Sequence, residues 1–202
     1  MLYYRHTMTK KVVLTAIVAG FVVALITNQN FRDRILPRGG FDKEPNNINI
    51  DNITPEPIPG RPQVELNTPK GKIVIELRPD LAPKSVANFL DKWNSGYCNE
   101  LTFHRVEDWV IQGCDPKGDG TGGKLTLPTE ISSESFTTGS VGVARLVSPK
   151  ELSNDSQFFI VKSDAPSLNG EYTYIGKVVS GIEVLGKITR GDKIGTASVL
   201  SK

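Results

Sequence analysis

Two short extended runs make up the stretch LTFHRVEDWVIQGCDP, Leu101 to Pro116. Side chains of a strand alternate between its two faces, so Leu101, Phe103 and Arg105 are predicted to share one side of the first run. An arginine on an apolar face needs a partner or a ligand, because its charge is costly to remove from water. The stretch therefore indicates Arg105 as a candidate functional residue.

The second run begins after the polar pair Glu107–Asp108. By the same alternation Val110 and Gln112 share a side there, so a glutamine is expected on the strand that neighbours the arginine.

The composition limits the kinds of protein that this chain can be. Its 202 residues are 38% hydrophobic and 23% charged, which suits one ordinary core and hardly two. A formal net charge of +2 gives no indication of nucleic-acid binding. The histidines His6 and His104 and the cysteines Cys98 and Cys114 are too few and too scattered for a zinc site. We therefore expect no metal, no other cofactor and no nucleic acid.

The N-terminal part of the chain has the pattern of an exported protein. Residues 1–11 are basic, and the run Val12–Thr27, VVLTAIVAGFVVALIT, carries no charge. This run suits either an uncleaved transmembrane anchor or a signal peptide, and the missing A-x-A cleavage site favours the anchor. The basic flank orients the N-terminus to the cytoplasm. We expect an extracytoplasmic domain that is membrane-anchored, or exported after signal cleavage.

Residues 28–62 are predicted to form a disordered linker. They are rich in asparagine, proline and charge and show no sustained apolar period. Pro55, Pro57, Pro59 and Pro62 favour an extended chain that cannot join a β-ladder. The folded domain is expected to span residues 63–202.

Short strands dominate the predicted domain. VELNT and KIVIELR form a hairpin pattern in which Ile73, Ile75 and Leu77 share a face. APKSVANFLDKWNSG has Pro83 near its start and apolar residues at helical spacing, and a brief helical pattern recurs in GIEVLGKI. Many short strands with one or two helices indicate a β-barrel or sandwich with caps.

Two motifs that resemble catalytic signatures are rejected. GDGTGGK, Gly118–Lys124, nearly matches a phosphate-binding loop, but Leu125 stands where a hydroxyl is needed, and the next segment is strand-like. A serine-hydrolase triad could use only His104 within the domain, and no G-x-S-x-G elbow is present. The glycine-rich segment is therefore predicted to be a turn.

Four segments in chain order, FHRVEDWVIQGCDP, GDGTGG, SQFFIV and LNGEYTYIGKVVSGIEVL, resemble the cyclophilin family of peptidyl-prolyl cis-trans isomerases, in a short, bacterial-like form. The resemblance extends from Val64 to about Ile194. It implies a mainly β fold, a closed eight-stranded antiparallel β-barrel capped by two α-helices, with a groove on the barrel's outer surface. It also implies an isomerase that acts on proline-containing polypeptides during protein folding.

An arginine in such a groove suits this reaction. Rotation about an X-Pro bond has an uncatalysed barrier of about 18–20 kcal/mol because amide resonance is lost. In the twisted state the proline nitrogen regains a lone pair, to which a guanidinium can donate more strongly than to either planar state. The resemblance therefore implies non-covalent catalysis by Arg105, with Gln112 able to orient the guanidinium by hydrogen bonding.

The other site residues follow from the resemblance, position by position. It implies a proline pocket formed by Trp109, Val110, Phe159, Leu168 and Tyr172. It also implies that Gln157 lies beside the arginine, that Ala144 and Arg145 belong to the stretch that binds the residue before proline, and that His104 lies at the groove edge. Taken singly, the apolar members of this set would be assigned to the core.

Some alternatives stay open at this level. A proline-peptide binding module or chaperone with little catalysis would keep the groove, although it would not require Arg105. The family usually has glycine at the position of Cys114, and Cys98 precedes the neighbouring strand. The pair is expected either to form a disulfide, as an exported domain favours, or to remain as two free buried thiols. We expect a monomer.

Overall fold

A computed structural model of the chain describes residues 58–201. The predicted basic N-terminus 1–11, the apolar run 12–27 and most of the predicted linker 28–62 lie outside the described residues. Within the part of the chain that the structure describes, no helix is both long enough and apolar enough to cross a membrane.

The described residues form an antiparallel sheet of nine strands with one α-helix. The strands are β1 Gln63–Thr68, β2 Gly71–Leu77, β3 Arg105–Val106, β4 Val110–Gly113, β5 Leu125–Pro128, β6 Ser140–Arg145, β7 Leu152–Val161, β8 Tyr174–Ser180 and β9 Thr196–Ser201. Helix α1 is Pro83–Asn94, and two 3₁₀ helices are Pro166–Leu168 and Ile182–Val184. The strand order is β3-β4-β7-β6-β8-β2-β1-β9, and β5 pairs with β7 outside this path.

The sheet curls around the core, but its end strands β3 and β9 do not pair with each other in the described chain. A single isolated bridge, Thr102 to Lys193, joins the segments that precede them. The structure therefore has an open, half-barrel sheet of nine strands instead of the expected closed eight-stranded barrel. One reason is that β3 is only two residues long and offers few backbone groups for a second ladder.

The second expected helix is also replaced. The segment GIEVLGKI forms a 3₁₀ turn at Ile182–Val184 where an α-helix was expected. Gly181, at φ 83°, precedes the turn and Gly186 follows it, so too few good helix formers remain for an α-helix. Val184 and Leu185 are still buried in the core. The apolar spacing predicted their burial correctly, but not the helix.

Helix α1 packs its apolar face into the main core. Pro83 occupies the start of the helix, where a missing N–H costs nothing. Val86, Phe89 and Trp93 are fully buried, as their spacing predicted. The rings of Phe89 and Trp93 lie edge-on to Phe158, with centroids 6.3 and 5.5 Å away. Such pairs contribute about 0.5–1.5 kcal/mol each beyond their buried area.

The paired strands β4 and β7 contribute apolar side chains to two separate clusters, one on each face of the sheet. Ile111 and Ile160 are cross-strand partners in the main core. Gln112 and Phe159 are partners on the opposite face, where Val110 and Phe159 belong to a second, smaller cluster. Because strand side chains alternate, one face of this pair completes the core and the other is available for a site. The predicted shared side of Val110 and Gln112 is confirmed.

The run before β3 does not alternate as predicted. Phe103 is fully buried in the main core, and Leu101 packs against it, whereas Arg105 lies on the opposite face. The N–H of Phe103 donates to the carbonyl of Asp192, and the N–H of Ile194 donates to that of Leu101. Before β3 begins, the backbone is therefore hydrogen-bonded to a segment far along the chain. The prediction that Leu101 and Phe103 share a face with Arg105 is wrong.

Candidate active site

One cavity gathers nine of the predicted site residues. Its lining residues are Arg105, Trp109, Val110, Gln112, Ala144, Arg145, Phe159, Leu168 and Tyr172. They come from β3, the turn after it, β4, β6, β7, the first 3₁₀ helix and the segment that follows that helix. Two of the predicted residues, His104 and Gln157, do not line the cavity.

Aromatic and aliphatic side chains form the apolar part of this cavity. Phe159 and Val110 are almost fully buried, with 5% and 1% of their surface exposed. The Phe159 ring meets Tyr172 edge-on, with centroids 5.6 Å apart, and stacks on Phe136 at 5.7 Å. A Cβ on Gly142 would collide with the Phe159 ring, so glycine is needed beneath it. The pocket is fixed by packing and suits a small apolar ring.

Arg105 lies at the polar edge of the cavity and is held from two sides. Its Nε donates to Oε1 of Glu107 at 2.7 Å, and its Nη1 donates to Oε1 of Gln112 at 3.4 Å. The guanidinium carbon is 5.3 Å from the ring centroid of Trp109. Within residues 58–201, Nη2 has no hydrogen-bond partner, and 42% of the side chain is exposed. A fixed cationic donor therefore remains available to a ligand.

Reasoning from the sequence missed Glu107, which was assigned only to the link between the two runs. Its carboxylate binds Arg105 and also accepts a hydrogen bond from Nε1 of Trp109 at 2.9 Å. The hydrogen bond from the Arg105 guanidinium holds the pKa of Glu107 below its usual range, so the carboxylate is ionised at neutral pH. Strand β3 ends at Val106, so Glu107 and Trp109 lie in the hairpin turn, where the period of two does not apply and no sequence signal indicates the group.

A row of amides supports Gln112 from behind. Nε2 of Gln112 donates to Oε1 of Gln157 at 2.8 Å. Nε2 of Gln157 in turn donates to the carbonyls of Gly120 and Gly122, at 3.2 and 2.8 Å. Gln157 is almost fully buried, so it lies one hydrogen bond behind the cavity and positions Gln112.

The glycine-rich segment is a turn, as predicted, and it is built on Asp115. The Asp115 carboxylate accepts hydrogen bonds from the N–H groups of Lys117, Asp119 and Gly120 at 3.0, 3.0 and 2.6 Å. A Cβ at Gly122 would collide with the Asp115 side chain. This packing explains the glycine and fixes the carbonyls that hold Gln157.

Arg145 uses its guanidinium within the protein. Only 4% of its side chain is exposed; Nε donates to the Glu171 carbonyl at 2.8 Å, and Nη2 lies 2.9 Å from the Glu171 carboxylate. The guanidinium also lies over the Tyr172 ring, 4.4 Å from its centroid. Arg145 therefore fixes Tyr172 as a wall of the cavity, and the small side chain of Ala144 lines the cavity beside it.

The structure does not bring His104 to the cavity, where the resemblance implied a groove-edge position. The residue is 7% exposed, and Nδ1 of its ring has no hydrogen-bond partner in the described chain. Burial lowers the pKa of His104, so the ring is neutral at pH 7. It lies behind the glycine-rich turn, close to Gly120, because the regular strand begins only at Arg105.

Cys98 and Cys114 form a disulfide, with Cα atoms 5.0 Å apart and both residues fully buried. The bond joins the segment after α1 to Cys114, which follows β4 and precedes Asp115. Of the two alternatives left open by the sequence, the structure has the bridged pair.

The chain is similar to known proteins over nearly all of its described residues. The family described as cyclophilin type peptidyl-prolyl cis-trans isomerase/CLD matches residues 63–201. A probable peptidyl-prolyl cis-trans isomerase of Brucella suis is 41% identical over 150 residues, which are 67% of this chain and 76% of that relative. A peptidyl-prolyl cis-trans isomerase of Schizosaccharomyces pombe is 43% identical over 126 residues, which are 60% of this chain and 81% of that relative.

Solved structures give the same result. A crystal structure of a cyclophilin type peptidyl-prolyl cis-trans isomerase from Cryptosporidium parvum, in the presence of the dipeptide Ala-Pro, aligns with a TM-score of 0.64 and 32% identity. The alignment covers 69% of this chain and 99% of that chain. A second crystal structure of that protein aligns with a TM-score of 0.65 and 30% identity.

Proposed function

The chain belongs to the family of cyclophilin-type peptidyl-prolyl cis-trans isomerases, and on this premise we propose that Arg105 catalyses the rotation by stabilising the twisted X-Pro amide. The observation that supports this role most directly is the guanidinium itself. It is fixed by Glu107 and Gln112 at the edge of an apolar cavity, while Nη2 has no hydrogen-bond partner within residues 58–201.

In the proposed mechanism the protein binds the twisted amide more tightly than the planar one and forms no covalent bond to it. The pyrrolidine ring occupies the apolar cavity over Phe159, where packing by Tyr172 fixes its position. As the amide twists, the proline nitrogen becomes a hydrogen-bond acceptor, and Arg105 donates to it more strongly than to the planar amide. One such preorganised donor contributes about 2.7–4 kcal/mol to lowering the barrier. The related Cryptosporidium protein was crystallised in the presence of Ala-Pro, which supports an X-Pro ligand for this cavity.

An isomerase assay on a short X-Pro peptide, followed by protease coupling or by exchange in NMR spectra, tests this function. We expect catalysed exchange that depends on Arg105. A protein that binds the peptide but does not accelerate exchange would instead be the proline-peptide binding module or chaperone considered above.

We also propose that the isomerase domain acts outside the cytoplasm, on exported or membrane-associated proteins, as a monomer anchored by Val12–Thr27. The uncharged run and its basic flank support this placement. The full chain should stay with membranes through high-salt and carbonate washes. A mature N-terminus after Thr27, found by mass spectrometry, would show that the segment is cleaved and would contradict the anchor.

A further inference from the structure

We propose that Glu107 is a positioning residue of the isomerase, which holds Arg105 and Trp109 as one unit at the edge of the proline cavity. This role rests on the proposed function of Arg105. The carboxylate divides its two oxygens between the two side chains: Oε1 accepts from Arg105 Nε at 2.7 Å, and Oε2 accepts from Trp109 Nε1 at 2.9 Å.

The direction of the guanidinium depends on this contact. The other hydrogen bond to it, from Nη1 to Gln112, is long at 3.4 Å. The Glu107 contact is short and joins two ionised groups, which makes it the stronger of the two. Without it, Arg105 would keep one weak hydrogen bond and its position 5.3 Å from the Trp109 ring centroid, and it could rotate about its flexible side-chain bonds. Nη2 would then no longer point in one fixed direction when the amide twists.

The Glu107 side chain is not needed to build the turn that carries it. The Glu107 N–H donates to the Val110 carbonyl at 2.8 Å, and the Glu107 carbonyl accepts from Nζ of Lys162 at 2.7 Å. The Lys162 N–H also donates to the Trp109 carbonyl at 2.7 Å. The backbone and Lys162 therefore hold the turn whether or not a carboxylate is present.

The same ion pair should matter little for stability. Arg105 and Glu107 side chains are 42% and 45% exposed. Ion pairs this exposed contribute about 0–1 kcal/mol to folding, because water and salt screen them. A loss of turnover at unchanged stability would therefore separate positioning from a merely structural role.

The test compares Glu107→Gln with Asp108→Asn in the full chain. Both variants remove one negative charge from the same turn, but the Asp108 carboxylate makes no hydrogen bond with residues 58–201. We expect Glu107→Gln to lower kcat about tenfold, the scale of one charge-assisted hydrogen bond, while KM changes less than about twofold. Asp108→Asn should match the wild type, and both variants should keep its melting temperature.

A second measurement asks whether Glu107 acts through Arg105. In the Arg105→Ala background, Glu107→Gln should cause no further loss of kcat, because the group that it positions is gone. A full additional loss in that background would overturn the positioning role. A Glu107→Gln enzyme as active as Asp108→Asn would also overturn it, because the carboxylate would then contribute nothing to turnover. A Glu107→Gln enzyme more active than the wild type would overturn it as well, because the carboxylate would then compete with substrate for Arg105.

The two proposals fail in different ways. If Arg105→Ala is inactive but Glu107→Gln is unimpaired, only the positioning role is wrong. If Arg105→Ala keeps full activity, or the wild type has none, the proposed function of Arg105 fails and the positioning role fails with it.

Discussion

Arg105 and Gln112 lie directly opposite each other across the β3–β4 ladder, with Nη1 of the arginine 3.4 Å from Oε1 of the glutamine. Cross-strand partners share a face, so the hairpin alone places the amide beside the guanidinium. The hairpin is tight, because the Glu107 N–H already donates to the Val110 carbonyl at 2.8 Å. Only Asp108 and Trp109 remain to make the turn.

Replacing Arg105 by alanine should lower kcat/KM by a factor of about a hundred to a thousand, since one preorganised donor is lost. Peptide affinity should fall much less, because Phe159 and Leu168 still form the cavity. Arg105→Lys should restore little, as an ammonium lacks the planar fork. Circular dichroism should confirm that both variants fold, and near-full activity of folded Arg105→Ala would contradict the mechanism.

Changing Gln157 to leucine should affect both stability and turnover. The variant leaves the Gly120 carbonyl without its donor and the Gly122 carbonyl with the Asn154 amide alone, at a cost of about 1–3 kcal/mol in the free energy of unfolding. Gln112 also loses its support, so kcat should fall, though less than in Arg105→Ala. Urea denaturation and the peptide assay measure the two effects. Gln63→Leu on β1, away from the cavity, serves as control. Equal stability and turnover of the two variants would show that Gln157 does not support Gln112.

Removing the disulfide with Cys98→Ala and Cys114→Ala should lower the free energy of unfolding by about 3 kcal/mol, the amount typical for closing a loop of this length. The two cysteines are 16 residues apart in the chain. Denaturation of wild type and variant without reductant measures the difference. Thiol titration of the unreduced, denatured wild type should find none, whereas two titratable thiols per chain would show that the bond does not form.

The burial of His104 should make stability depend on pH. Its pKa is lowered by burial, so the unfolded chain takes up a proton more readily than the folded one. The contribution should be fully present above the ordinary pKa of about 6.5 and be lost as pH falls through the lower folded-state pKa. The difference in unfolding free energy between the wild type and His104→Gln should shrink over that window. A difference that stays constant with pH would mean that His104 is freely protonated when folded.

Several features could be predicted because they depend on near neighbours in the chain. Ile73, Ile75 and Leu77 are all fully buried, as alternation along β2 requires. The spacing of Val86 and Phe89 likewise determined the buried face of α1. The cavity residues were predicted on another basis, the family resemblance. It assigns a role to a position such as Phe159 from the matching motif, without any knowledge of what that side chain contacts.

By itself, then, the sequence determined the family, the strand-rich domain, the buried faces of β2 and α1 and most of the cavity lining. Only the tertiary structure decided that Phe103 enters the core, that His104 lies behind the turn, and that Arg105 is paired with Glu107. The physical reason is that alternation assigns faces only within one regular strand. Where β3 begins is decided by hydrogen bonds from the N–H of Phe103 to the Asp192 carbonyl and from the N–H of Ile194 to the Leu101 carbonyl. These partners are far apart in the chain, so no local pattern indicates them.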